Sequence, residues 1–255
     1  MGTYPPNVYL VKGERVALID SGYGDEAALS ARRKQLAELV VAKVEYLVIT
    51  HHHTDHRAGV EALRAATGAT VLAHVLEKGL YRDDSTPIPA DRWVEDEPVL
   101  DLGNLHLKLL HMPGHSPGHL CVLVQETKVL FSGDQVLGVG TTAIGQPHGD
   151  MRQHIASLER LRGLDLDIIL PAHGPPIRQP QRKLQELIEH RKAREEQVCA
   201  LVGRGVATVE EMLSQVYPEL QPGLLDMARG QLQSHLVKLE QEGRVVARNG
   251  RYSLP

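Results

Sequence analysis

The fold is decided by the stretch Thr50-His51-His52-His53-Thr54-Asp55-His56, which directly follows an apolar segment that we predict to be a buried strand. Side chains two residues apart in an extended segment point the same way, so we expect His51 and His53 to bind one metal ion. Asp55 and His56 come from the first turn of a predicted helix and are expected to face a second ion. Three imidazoles and one carboxylate suit Zn²⁺, and also Fe, Mn or Co. The stretch therefore predicts a metal site where a strand passes into a helix.

Three later positions offer the further ligands that such a site needs. His115 lies in PGHSPGH, Asp134 in SGD and His173 in PAHG. Each follows an apolar segment and sits in a loop of small or turn-forming residues, so the fold can bring all of them to one edge of its sheets. A single histidine or aspartate at a strand end is most often a hydrogen-bonded turn residue. Four such elements in this order predict metal binding instead.

Up to about residue 178 the chain alternates short apolar strands with amphipathic helices, which predicts an α/β sandwich of two sheets with helices outside. Asp25 and Asp150 are placed to cap two of these helices. The predicted strands are residues 8–11, 16–19, 44–49, 69–73, 105–109, 120–124, 129–131 and 168–170, and the predicted helices include residues 25–40 and 55–66.

The tail has a different pattern. Residues 180–204 read as one long charged helix, Thr208 and Glu211 form a capping box for a second, and a third is predicted over residues 224–242. Asn249-Gly250 then predicts a β-hairpin, which completes the outline of a winged helix. We therefore predict a catalytic domain (1–178), a linker helix (179–204) and a small winged-helix domain (205–255).

Composition excludes several classes of protein. A net charge of -4 gives no broad basic field, and 42% hydrophobic residues with 24% charged residues argue against disorder. No segment approaches the ~18 apolar residues of a membrane helix, and no signal peptide is recognisable at the N-terminus. Cys121 and Cys199 form no CxxC pair, which is typical of a reducing compartment. We expect a cytoplasmic protein that does not bind membranes.

The order HxHxDH, PGHSPGH, SGD, PAHG resembles the metallo-β-lactamase superfamily, and the helix and winged tail that follow resemble its beta-lactamase-like protein two branch. The resemblance implies an αββα sandwich with two metal ions, expected to be Zn²⁺ with Fe or Mn as alternatives, at the mouth between the sheets. It also implies that Asp134 bridges the two metals. Asp20 is implied to orient ligands, although it could instead cap the turn at Ser21-Gly22. The implied ligands are His51, His53 and His115 for the first metal and Asp55, His56 and His173 for the second.

The expected chemistry is hydrolysis, because two cations acidify a shared water near neutral pH while Asp55 accepts and returns a proton. An ester, thioester, lactone or related bond of a small molecule is the first interpretation. The animal members of the branch favour a second one, a single-strand-specific endoribonuclease that uses the same site. A mononuclear iron oxygenase is disfavoured by the full second-metal set, and a winged-helix regulator by the nearly balanced charge of the tail.

Substrate contacts are expected from the loop at residues 138–148, which follows Asp134 and is predicted to form a pocket wall. Thr141, Thr142 and His148 are the candidates there. His52, between two predicted ligands, is expected to point away from the metals, to solvent or to a supporting contact. Single-stranded RNA is one possible partner, but residues 181–255 carry 11 Lys+Arg against 10 Asp+Glu, and this near balance of charge weakens that interpretation. The alternative is a packing or homodimerisation module that also walls the active site. A cluster of arginines on the wing favours the first option: Arg244, Arg248 and Arg251.

Overall fold

Two mixed β-sheets pack face to face in the computed structural model, which describes residues 4–39, 43–80 and 86–255. The first sheet has the order β1-β2-β3-β4-β5, with β1 and β2 antiparallel and the other neighbours parallel. Its strands are β1 (Tyr9–Lys12), β2 (Val16–Ile19), β3 (Tyr46–Val48), β4 (Thr70–His74) and β5 (Arg92–Val94). All four residues of β2 are buried, as expected for a strand that is covered on both faces.

The second sheet has the order β10-β9-β8-β7-β6 and is antiparallel except between β9 and β10. Its strands are β6 (Val99–Asp101), β7 (His106–His111), β8 (Leu120–Val124), β9 (Val129–Gly133) and β10 (Ile168–Pro171). The core between the sheets takes side chains from both, among them Ile19, Val48, Leu107 and Val122. The strands that we predicted are present, β2 and β8 with the predicted bounds and the others with shifted ends, whereas the three-residue β5 and β6 were not predicted.

Helices cover the outer face of each sheet. Leu36 of α1 (Glu26–Glu38) and Leu63 of α3 (Val60–Thr67) pack on the first sheet. Leu158 of α4 (Met151–Arg162) packs on the second. The predicted caps are confirmed, since Asp25 accepts from Ala28 N at 3.0 Å and Asp150 from Gln153 N at 2.9 Å. The arrangement is the predicted αββα sandwich. Val40, which we placed at the end of the first helix, lies outside the described residues.

The single helix predicted over residues 55–66 is wrong in one respect, because it is broken into α2 (Thr54–Arg57) and α3. The break lies at Gly59, whose N–H donates to Gly22 O at 3.1 Å. A Cβ at Gly59 would lie 2.8 Å from Ser21 O, so the chain can turn here only because the residue has no side chain. The turn leaves α2 as one short piece that presents Asp55 and His56.

The tail folds as α5 (Pro180–Gly203), α6 (Val209–Val216) and α7 (Leu225–Gln241), followed by a hairpin of β11 (Val246–Arg248) and β12 (Arg251–Ser253). Single 3-10 turns span Val75–Glu77 and Pro222–Leu224. The predicted capping box is present, with the Glu211 N–H donating to Thr208 Oγ1 at 3.3 Å. Asn249 and Gly250 both have positive φ, as a two-residue hairpin turn requires.

Helix α7 is tied to the loop that follows Asp134. The Ile144 N–H donates to Gln231 Oε1 at 3.0 Å, and Ser234 Oγ donates to Ile144 O at 2.8 Å. The winged helix therefore packs against the loop that borders the candidate site. None of the helices in the described part of the chain is both long and apolar enough to cross a membrane.

Candidate metal centre

The predicted ligands meet at one edge of the sandwich, because each follows the end of a strand. His51 and His53 come after β3, His115 lies in the β7–β8 connection, and His173 follows β10. Asp134 directly follows β9. Residues that are up to 122 positions apart are thus brought within a few ångströms of each other.

The first cluster has three imidazoles whose nitrogens converge. His53 Nδ1 lies 2.9 Å from His51 Nε2 and 3.0 Å from His115 Nε2. Together with a carboxylate oxygen of Asp134, the ligand atoms all lie within 4.8 Å of one another. Imidazole nitrogens converge in this way when they share one cation.

The second cluster lies beside the first and consists of Asp55, His56 and His173. Asp55 Oδ2 is 3.2 Å from His173 Nε2 and 3.9 Å from His56 Nε2. Asp134 lies between the clusters, with Oδ1 3.5 Å from His56 Nε2 and Oδ2 3.6 Å from His115 Nε2. Its two oxygens thus face different clusters, which is the geometry that a bridging carboxylate needs.

Unpaired buried atoms indicate what these clusters hold. His56 Nε2, His173 Nε2 and Asp134 Oδ1 are buried and have no hydrogen-bond partner in the described part of the chain. Buried polar atoms are rarely left unpaired, because each loses its hydration without compensation. Two divalent cations would satisfy all three atoms, so the residues present fit a dinuclear metal site.

The ring nitrogens that face away from the clusters are anchored by hydrogen bonds. His56 Nδ1 lies 2.7 Å from Asp20 Oδ2, His115 Nδ1 2.8 Å from Ala143 O, and His173 Nδ1 3.1 Å from Tyr4 O. Such bonds set the tautomer and the orientation of a ligand ring.

Asp20, predicted either to orient ligands or to cap a turn, makes its side-chain contacts with His56 and Thr50. It accepts from Thr50 N at 2.8 Å and from Thr50 Oγ1 at 3.0 Å. Its φ of 61° is in the left-handed region, which costs energy for a residue other than glycine. The contacts match the orienting role and hold a strained backbone in place.

The charge distribution favours metal-competent protonation states in the first cluster and at Asp134. Burial lowers the pKa values of His51 and His53, so both rings are neutral near pH 7. Burial would raise the pKa of Asp134, but His56, His115 and His173 lower it well below its ordinary value. Neutral imidazoles and ionised carboxylates are the forms that bind cations. In the second cluster, burial would lower the pKa of His56 but Asp134 and Asp20 raise it well above its ordinary value, so a cation bound there would displace a proton.

Glu77 is a residue of the site that the sequence analysis missed. This buried carboxylate accepts from the His52 N–H at 2.8 Å, from Ser116 Oγ at 2.8 Å and from the Gly118 N–H at 2.6 Å. It thereby joins the HxHxDH loop to the PGHSPGH loop. His52 Nδ1 also lies 2.6 Å from Glu77, so of the two alternatives predicted for His52 the structure has the supporting contact and not solvent exposure.

A cavity of about 310 Å³ opens beside the two clusters. Thr141 and Thr142, predicted to contact substrate, line it, whereas His148 lies against His52 with 3.2 Å between His148 Nδ1 and His52 Nε2. Apolar side chains from the loop and the winged helix form much of the wall: Leu137, Val139, Ala143, Leu224 and Met227. No lysine or arginine is among the described residues that line this cavity.

Two family models match separate parts of the chain. A family model described as the metallo-beta-lactamase superfamily matches residues 1–173, and one described as the beta-lactamase associated winged helix domain matches residues 208–251. The chain belongs to the metallo-beta-lactamase superfamily. The resemblance drawn from the motifs is confirmed, and so is the predicted sandwich with a winged helix after it.

Relatives within the superfamily include enzymes. The chain is 30% identical over 221 residues to a beta-lactamase-like protein 2 homolog of Caenorhabditis elegans, covering 84% of this chain and 71% of the relative. It is 30% identical over 237 residues to an atrochrysone carboxyl ACP thioesterase of Aspergillus fumigatus, covering 86% and 70%. With the two ligand clusters, this membership identifies the chain as a metallo-hydrolase.

Solved structures agree with the fold. A metallo-beta-lactamase family protein from Thermus thermophilus superposes with a TM-score of 0.80 at 25% identity, covering 100% of this chain and 96% of that one. TTHA1623, crystallised in a di-iron-bound form, gives a TM-score of 0.57 at 30% identity over 71% of this chain and 94% of its own. At least one protein of similar structure therefore binds two iron ions.

Proposed function

We propose that the chain hydrolyses thioesters and related esters of small apolar acyl groups with two bound metal ions. The observation that carries the proposal is the cavity at the ligand clusters, which has apolar walls and no lining lysine or arginine among the described residues. An acyl chain gains free energy on entering such a cavity because its apolar surface leaves water. A nucleic-acid backbone, in contrast, is usually held along its length by lysine and arginine side chains. The thioesterase names among the relatives support the same reaction.

The donor set supports zinc as the metal, with iron as the alternative that the di-iron relative suggests. In this proposal one metal is held by the first cluster and the other by the second, with Asp134 shared. When bound, two divalent cations acidify a water and so supply hydroxide near neutral pH. The ligands for the first metal are His51, His53 and His115, and those for the second are Asp55, His56 and His173.

The chain's own groups then position the reactants and move the proton. Asp55 has a side chain that is 15% exposed, compared with 6% for Asp134, so it is the carboxylate better placed to take the proton of the attacking water. The Ala143 carbonyl fixes the His115 ring, and the apolar wall excludes competing water from the acyl carbon.

The proposal is tested with the full-length zinc-loaded chain on three substrates: hexanoyl-N-acetylcysteamine thioester, methyl hexanoate and labelled single-stranded RNA. We expect thioester hydrolysis, with kcat/KM lowered about 100-fold or more in His53→Ala because a metal ligand is lost. His106→Ala is the matched control, since His106 is about half exposed and pairs with Glu126 at the start of β7. Cleavage of RNA with no hydrolysis of either acyl substrate would replace this proposal with the nuclease interpretation.

A further inference from the structure

A second cavity of about 260 Å³ adjoins the one at the metal centre. The two cavities have part of their wall in common, which consists of the loop before Ile144 and the start of α7. The residues that line both are Thr141, Thr142, Ala143, Leu224 and Met227. The two cavities are therefore immediate neighbours, separated by these residues.

Arg191 on α5 lines this second cavity and is 1% exposed. Its Nη2 donates to Thr142 O at 2.5 Å, but its Nε is buried without a hydrogen-bond partner in the described part of the chain. No carboxylate oxygen of the described residues forms an ion pair with it. Removing a guanidinium from water without a counter-charge is costly, and burial accordingly lowers the pKa of Arg191 to about 10.

Other side chains that line the cavity add a second cation and further unpaired nitrogens. Arg194 lies over the Tyr217 ring at 4.6 Å, and the buried Nε2 atoms of Gln231 and His235 lack hydrogen-bond partners among the described residues. No aspartate or glutamate is among the described lining residues. Glu195 on the same helix pairs with Lys238 at 2.9 Å and forms no ion pair with either arginine. Two cations, one of them with an unpaired buried donor, indicate a ligand that brings negative charge and acceptors.

We propose that this second cavity, lined by Arg191 and Arg194, binds an oxyanion carried on the thiol arm of the substrate. The oxyanion is a phosphate or a carboxylate, and the assignment rests on the proposed thioester hydrolysis. The geometry links the two places, because Arg191 holds the Thr142 carbonyl while Thr142 Oγ1 donates to Asp134 O at 2.6 Å. The acyl group occupies the apolar cavity, and the charged arm lies in the cavity beside it.

Turnover of matched substrates tests the assignment. Hexanoyl-coenzyme A carries phosphates, hexanoyl-glutathione carries carboxylates, and hexanoyl-N-acetylcysteamine carries no charge. For each protein we compare kcat/KM for the preferred charged thioester with kcat/KM for the neutral one. We expect this ratio to fall about tenfold in Arg191→Met and in Arg194→Met, because each variant loses about one charge-assisted hydrogen bond. Lys192→Met, which removes an exposed cation on the same helix, should keep the wild-type ratio.

Binding of ligands that cannot react separates this inference from the proposed function. Calorimetric titration of the zinc-loaded chain uses S-methyl-coenzyme A and S-methyl-glutathione. Weaker binding of one of them in Arg194→Met, but not in Lys192→Met, supports the subsite and shows which oxyanion it takes. Equal affinity in wild type and both arginine variants overturns the subsite. If the variants bind more weakly but wild type hydrolyses no thioester, the subsite stands and the proposed function fails.

Discussion

Gly114→Ala is predicted to destabilise the chain and to release metal, because Gly114 supports the His115 loop from a position that tolerates no side chain. Its φ is 135°, and a Cβ there would lie 2.3 Å from His154 Cα and 2.4 Å from His154 N. The neighbouring backbone is also fixed, since the Asp150 N–H donates to Gly114 O at 2.8 Å. An alanine must therefore push the loop away from the first turn of α4.

The magnitude follows from two costs. A non-glycine residue in a sparsely populated backbone region costs about 1–3 kcal/mol. Moving the built Cβ from 2.3 Å to ordinary van der Waals contact requires a shift of about 1 Å between two packed backbones, which overpacking studies place at about 1–3 kcal/mol. We expect the free energy of unfolding to fall by about 3–5 kcal/mol. A displacement of about 1 Å at a ligand loop would also lower kcat/KM about 100-fold.

Urea unfolding, monitored by circular dichroism, measures the loss of stability. Metal analysis of the folded protein measures the loss of metal. Gly145→Ala is the matched control, because a Cβ at Gly145 meets nothing within 4 Å and its φ is not left-handed. The control should stay within about 0.5 kcal/mol of wild type. A Gly114→Ala protein with wild-type stability and full metal content would refute the reasoning from backbone contact.

Three further predictions concern the ion pair of the tail, the cysteines and the metals. Burial would raise the pKa of Glu195, but His235 and Lys238 lower it by more, so the net pKa lies below the ordinary glutamate value. The contribution of this ion pair to the folded state is therefore complete above the ordinary glutamate pKa and is lost as the pH falls through the lowered value. Glu195→Gln should thus cost about 2–4 kcal/mol in urea unfolding at about pH 7, and this cost should shrink as the pH is lowered below the ordinary glutamate pKa; a cost that does not change with pH would count against the pair. Burial raises the pKa of Cys121, so a thiol reagent should modify only the partly exposed Cys199 quickly in native protein, and rapid reaction at both would contradict the packing. Chelation should lower the melting temperature and zinc should restore it, since metal binds the folded state; an unchanged melting temperature would argue against metal in the native fold.

Local sequence patterns predicted much of the fold and the candidate site. HxHxDH could be interpreted because an extended segment gives His51 and His53 one direction, and a helical turn then presents Asp55 and His56. Asp134 and the later histidines could be added because strand ends meet at one sheet edge. The capping box and the Asn249-Gly250 turn predicted the tail in the same way, from contacts a few residues apart.

Long-range contacts account for what the sequence did not predict. Glu77 carries no local signal, since its partners lie 25 to 41 residues away in the chain. The break at Gly59 arises from the approach of Ser21 O, which no helical spacing reveals. In the sequence, Arg191 is one of many charged residues of the predicted long helix. It is a buried cation because α5 packs against the loop at Thr142.

Metal stoichiometry measured together with hydrolysis tests the central claim most directly. The chain should bind about two zinc ions, as two ligand clusters with a shared carboxylate require. His173→Ala, which removes a ligand of the second cluster only, should bind about one and lose thioester hydrolysis. Wild-type protein with about one metal per chain, or His173→Ala with about two and full activity, would contradict a dinuclear hydrolase.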